Sequence, residues 1–130
     1  MPCNLRYLTW ADFDEAVAGF EKPICDGFYP LPRGGLPLAV ALSHRFDKPI
    51  LTKPSNMSII VDDIADSGKQ LQEVRLKYGS LPAIVWLKRY TCKERYITFH
   101  KAVMNDDWIV FPWENKEKAI EDYEQYITNK

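Results

Sequence analysis

Three aspartates, Asp62, Asp63 and Asp66, are followed at once by Ser67, Gly68, Lys69 and Gln70. Adjacent carboxylates suit the hydroxyls of a sugar or a hard cation such as Mg²⁺. A small-residue turn opening a helix suits a phosphate, because the first backbone N–H groups of a helix lack intrahelical partners and the helix dipole adds positive potential there. The flanking residues supply both elements. The β-branched run over 57–61 predicts a buried strand, and Leu71, Val74 and Tyr78 recur at helical spacing, predicting a helix over 68–78. The turn 66–70 is therefore expected to hold a phosphate, with Gly68 letting the backbone approach it, and the acids to face the sugar. A P-loop is excluded: its first Gly and its Ser or Thr after Gly-Lys are replaced by Asp63 and Gln70.

A second anion-ready turn lies upstream, in Pro30-Leu31-Pro32-Arg33-Gly34-Gly35-Leu36-Pro37. It stands between a short strand expected over 24–29 and a helix carrying Leu38, Val40, Ala41, Leu42 and Phe46. Gly34 and Gly35 free backbone amides to approach an anion, and Arg33 adds a planar, permanently charged fork suited to phosphate oxygens. A diphosphate fits such a turn.

The remaining elements must place these two turns side by side. Thr9 and Asp12 form a capping-box pattern ahead of Trp10, Phe13, Val17 and Phe20, which predicts a helix over 10–20. Strands are expected over 49–52, 83–88, 96–103 and 108–111, with turns at 54–56 and 105–107 and a charged surface helix over 115–127. Strands and helices alternate, so the fold class expected is α/β: a doubly wound, mostly parallel sheet with ligands at the C-terminal ends of its strands. The chain is read as one domain, 1–130.

Residues 61–71, a hydrophobic run followed by two acids, a small linker, Asp, Ser and Gly, resemble the phosphoribosyl-pyrophosphate (PRPP) motif of the type I phosphoribosyltransferases. The Arg-Gly-Gly-Leu turn resembles the pyrophosphate loop of the xanthine-guanine enzymes of that family. Asp106 to Glu114, Asp-Asp-Trp-Ile-Val-Phe-Pro-Trp-Glu, is similar to their base-holding segment. The three motifs stand in the family's order and span roughly 9–114.

The resemblance implies a small C-terminal hood, a terminal helix, and transfer of the 5-phosphoribosyl group from PRPP to a purine with release of pyrophosphate. It implies that Arg33, Gly34 and Gly35 hold the pyrophosphate, that Ser67, Gly68, Lys69 and Gln70 hold the 5′-phosphate, and that Asp62 and Asp63 hold the ribose hydroxyls or, through water, Mg²⁺. Asp66 becomes the general base. Lys88, Trp108 and the Ile109 backbone become the purine contacts, and a cis or strained peptide is implied between Pro32 and Arg33. Gln70 departs from the family's usual Thr. A homo-oligomer is also implied.

The family's long flexible loop falls between Ile50 and Met57, where only 51–56 are available, with Lys53 as a residual charge. Exclusion of water protects a reactive ribosyl centre, so this shortening keeps a second reading in view: a nonenzymatic PRPP- or nucleotide-binding regulator on the same fold.

A net charge of -1 gives no sign of a nucleic-acid partner, and the cluster Lys88, Arg89, Lys93, Arg95 is read as a site or a solvated face. No apolar run approaches the roughly 18 residues of a membrane span, and 1–8 lack a signal peptide's apolar stretch. Cys3, Cys25 and Cys92 have neither disulfide nor zinc spacing, which points to a reducing cytoplasm. His44 and His100 are read as structural.

Overall fold

The computed structural model describes residues 4–129, so Cys3 lies outside the described residues. Strands β2 (Gly27–Pro30), β3 (Ser58–Ala65), β4 (Ala83–Arg89) and β5 (Ile97–Val103) form a parallel sheet in that order. β3 and β4 are covered on both faces, which is why they read as continuous apolar runs rather than alternating ones. Ile59, Val61, Ile84 and Trp86 pack with helices α1 (Trp10–Gly19) and α2 (Gly35–Phe46), through Phe13, Ala16, Leu38 and Leu42. Ile60 and Ala83 face the other way, onto Leu71 of helix α3 (Lys69–Tyr78). Truncating a fully buried residue such as Leu42 or Ile60 to Ala is expected to cost about 2–5 kcal/mol.

The winding reverses at one place. Ile50 makes an isolated parallel bridge to Phe28, on the edge of β2 away from β3. The chain thus leaves β2 in one direction through α2, returns past it to β3, and continues the other way through α3 to β4. Helices consequently lie on both faces, as a doubly wound sheet requires, and the crevice between the C-terminal ends of β2 and β3 is the switch point at which such folds bind ligands.

The chain's two ends build the hood together. Strand β1 (Leu5–Tyr7), which the sequence did not reveal, pairs in parallel with β6 (Trp108–Val110), and α4 (Lys116–Thr128) packs beside it. Aromatic rings fasten the hood to the sheet. Phe111 stacks on Trp113 at 5.0 Å, and both contact Trp86, at 5.6 and 6.0 Å. Trp113 is thus a packing residue.

Several boundaries differ from expectation. The expected strand 49–52 reduces to the single bridge at Ile50, and 24–29 begins only at Gly27, with Ile24 almost fully exposed. β3 runs through the acids to Ala65 instead of ending at Val61, because Asp62 and Ile64 continue the pairing with Val85 and Leu87. The capping box forms as read: Thr9 Oγ1 accepts from the Asp12 N–H at 3.1 Å, and the Asp12 carboxylate accepts from the Thr9 N–H at 2.9 Å. Those bonds hold the Asp12 carboxyl below its usual range. No helix among the described residues is long and apolar enough to cross a membrane.

Candidate functional site

The two anion-ready turns follow adjacent strands. After β2, the backbone passes through a cis Pro32–Arg33 peptide, as the resemblance implied, and enters α2 at Gly34 with no side-chain cap. The Gly35 and Leu36 N–H groups donate to the Leu31 and Arg33 carbonyls at 2.9 and 3.1 Å and Pro37 has no N–H, so the exposed Arg33 side chain is the turn's main group for an anion. Gly35 is required by packing, since a Cβ there would lie 2.3 Å from the Val61 carbonyl oxygen. After β3, Gly68 adopts a left-handed φ of 85° at the start of α3, again without a side-chain cap. Ser67 Oγ accepts from the Lys69 N–H at 3.3 Å, which rounds the turn. Lys69 and Gln70 are exposed beside it.

The acids stand at the boundary between these turns. Asp62 lines a cavity of about 270 Å³ with Asp66, Ser67, Gly68, Lys69 and Gln70. Asp63 lines a second one, of about 590 Å³, with Arg33, Gly34, Glu114 and Lys118. The Asp63 N–H donates to Asp62 Oδ1 at 2.9 Å, and the two carboxyls influence each other's charge. Burial, and then the neighbouring Asp63 charge, push the Asp62 carboxyl up to about 8, while burial also raises Asp63. Glu114 is raised by burial too, although it accepts the Phe111 N–H at 2.9 Å. Such a pair calls for hydroxyl donors or a cation.

No group of three or more His, Cys, Asp or Glu among the described residues is placed to cage an ion. The Asp62–Asp63 pair offers one or two carboxylates, the number that Mg²⁺ takes from protein when water and ligand phosphates complete its shell.

A third cavity, of about 240 Å³, brings together Asp66, Arg89, Thr91, Asp107, Trp108 and Tyr126. The Trp108 ring lies 5.0 Å from that of Tyr126, and Asp66 is exposed. In the β1–β6 ladder the Trp108 N–H donates to the Asn4 carbonyl at 2.7 Å and the Leu8 N–H to the Val110 carbonyl at 2.9 Å. The alternation of a parallel ladder then turns the Ile109 N–H and C=O away from β1. Lys88 is not in this group; its ammonium lies 5.7 Å over the Phe99 ring.

Sequence reasoning passed over Arg89 as one member of a basic cluster. It is buried, and its guanidinium donates to Asp66 Oδ1 at 2.7 Å and to the Asn105 and Asp107 carbonyls at 2.7 and 2.9 Å. Its place beside Lys88 at the end of an otherwise apolar strand was the available signal.

The short 51–57 connection begins beside Phe28 of β2, whose carbonyl accepts from the Leu51 N–H at 2.8 Å, and ends at the N-terminal ends of β2 and β3. The Asp26 N–H, just before β2, donates to the Met57 carbonyl at 2.8 Å, and Ser55 Oγ contacts Asp26 at 3.3 Å. Ser58, at the start of β3, closes on the Ser55 carbonyl at 2.8 Å.

No protein-family model matches the chain. It is 35% identical over 65 residues, half of its length, to a xanthine-guanine phosphoribosyltransferase from Roseobacter denitrificans, and the match spans 37% of that relative. A purine phosphoribosyltransferase from Pyrococcus horikoshii superposes with a TM-score of 0.68 at 28% identity, covering 86% of this chain and 95% of that one. The chain has the type I phosphoribosyltransferase fold. The fold is also that of the Helicobacter pylori xanthine-guanine-hypoxanthine enzyme, with a TM-score of 0.68 at 20% identity over 92% of this chain and 99% of that one. The likeness thus rests on sequence over half of the chain and on architecture over most of it.

Proposed function

We propose that the protein is a Mg²⁺-dependent purine phosphoribosyltransferase that transfers the 5-phosphoribosyl group from PRPP to a xanthine-, guanine- or hypoxanthine-type base. One observation carries the reading: two glycine-bearing turns, one with Arg33 and one with Ser67 to Gln70, follow adjacent strands and flank the Asp62–Asp63 pair. PRPP has a matching pattern, with a phosphate, vicinal hydroxyls and a pyrophosphate in a row. In this reading the protein works in the cytoplasm as a homo-oligomer, as the family resemblance implies.

Ser67, Gly68, Lys69 and Gln70 bind the 5′-phosphate; Arg33, Gly34 and Gly35 bind the pyrophosphate. Asp62 and Asp63 accept the ribose hydroxyls and would hold Mg²⁺ through water. When bound, the ion neutralises charge on the departing pyrophosphate. The base lies in the Asp66–Trp108 cavity, its edge against the Ile109 backbone and its ring beside Trp108. Lys88 reaches an exocyclic oxygen only by swinging its long stem off Phe99. As the ring nitrogen attacks C1, Asp66 accepts the proton that the base must lose. Catalysis is otherwise positioning plus electrostatics.

Incubating pure protein with Mg²⁺, PRPP and each of guanine, xanthine, hypoxanthine and adenine tests this. At saturating base, matching amounts of purine nucleoside monophosphate and pyrophosphate are expected with at least one oxopurine, and no nucleotide with any base contradicts the proposal.

The shortness of the 51–57 connection, with Ser55 and Met57 held on Asp26, favours a second reading, a nucleotide-binding regulator. Tight binding of PRPP or a purine nucleotide without turnover would select it.

A further inference from the structure

We propose that Arg89 is a positioning residue for the purine: its guanidinium fixes Asp66 and the 105–107 segment to each other, so that the base cavity exists before the base arrives. The inference rests on the reading of the Asp66–Trp108 cavity as the base site, and goes beyond it by assigning the group that sets its geometry.

The argument begins with the burial of a charge. Arg89 ends β4 with its side chain only 11% exposed, where an uncompensated guanidinium would be costly. Three acceptors surround it, and they come from two separate parts of the chain: the Asp66 carboxylate from the turn after β3, and the Asn105 and Asp107 carbonyls from the segment leading into β6. The planar fork makes all three bonds at 2.7–2.9 Å, a pattern that the point charge of a lysine does not reproduce.

Neighbouring bonds hold both ends of this clamp. Thr91 Oγ1 donates to the Asp66 carbonyl at 2.8 Å, fixing the backbone that carries the base's proton acceptor. The Asp107 carboxylate accepts from Arg6 of β1 at 2.8 Å, fixing the loop from the other side. A run Arg6, Asp107, Arg89, Asp66 thus crosses from the hood to the sheet beneath Trp108. Enzymes with a closing loop assemble their sites on closure; here the 51–57 turn is tied down elsewhere, and a standing clamp takes that role.

The test uses Arg89→Lys and, as a second variant that removes no buried charge, Thr91→Val. Each is titrated calorimetrically with ribose 5-phosphate and with guanosine monophosphate, and then assayed for turnover. Arg89→Lys should weaken the nucleotide about tenfold or more, raise KM for the base and lower kcat, by up to about a hundredfold in kcat/KM, while ribose 5-phosphate binding changes less than about threefold. Thr91→Val should move the same quantities in the same direction by a smaller factor. Methylguanidine added to Arg89→Ala should restore part of the nucleotide affinity. A role confined to folding predicts equal losses for both ligands and no rescue.

Wild-type nucleotide affinity in folded Arg89→Lys overturns the inference alone. Failure of the wild-type protein to bind either ligand overturns the base-site reading, and the inference with it.

Discussion

Gly34 faces the Asp63 carboxylate so closely that a Cβ there would lie 2.1 Å from Oδ2. The pyrophosphate turn and the acidic pair are therefore a single packed unit, and a methyl group on one must displace the other.

Gly34→Ala should push the Asp63 side chain from its place and weaken PRPP by about tenfold or more, with little change in melting temperature. Gly35→Ala should behave in the opposite way. Its methyl meets the Val61 carbonyl, a backbone atom with nowhere to move, so stability should fall by about 1–3 kcal/mol. Calorimetric titration and thermal melts of both variants separate the two effects.

The acidic pair predicts how stability varies with pH. The folded-state value of Asp62, about 8, stands above its ordinary 3.8. Its contribution is therefore full below about pH 4 and is lost as pH rises through about 8, since the unfolded chain gives up this proton first. Melting temperature of the ligand-free protein should decline over this window, and Asp62→Asn should flatten the decline. A cation favours the ionised pair, so Mg²⁺ should raise the melting temperature more at pH 8 than at pH 5. An equal effect at both would count against Mg²⁺ at these acids.

Asp66→Asn keeps the size of the side chain and removes the proton acceptor. Turnover should fall about a hundredfold or more, while the dissociation constant for PRPP changes little. Equal losses in rate and in PRPP affinity would show that Asp66 binds and does not act as a base.

With so short a 51–57 connection, held on Asp26, the proposed transferase should protect its ribosyl centre from water incompletely. Ribose 5-phosphate should appear beside the nucleotide whenever the base is below saturation, and should diminish as base is added. Quantifying both products by chromatography tests this, and complete coupling at low base would show that some other part of the protein covers the site.

Much of this architecture was legible because local chemistry and tertiary role agree. Thr9 and Asp12 cap their helix by a rule that needs no long-range partner, and the apolar runs of β3 and β4 could only be strands buried on both faces. The end of β3 was misjudged because Asp62 and Asp63 look like a boundary, whereas pairing with β4 carries the strand through them. β1 was missed for a related reason: three residues with mixed polarity become a strand only beside β6, more than a hundred positions away. The two turns and the acids declared themselves through residue type. Arg89 did not, since in sequence it is one cation among several, and only the fold brings Asp66, Asn105 and Asp107 around it.

The claim on which the rest depends is that one PRPP molecule spans both turns across Asp62 and Asp63. Calorimetric titration of the wild-type protein with PRPP in the presence of Mg²⁺ addresses it most directly, with Gly34→Ala and Ser67→Ala run alongside. A single-site binding curve that weakens in both variants is the predicted result; no heat from the wild-type protein, or weakening in only one variant, would contradict it.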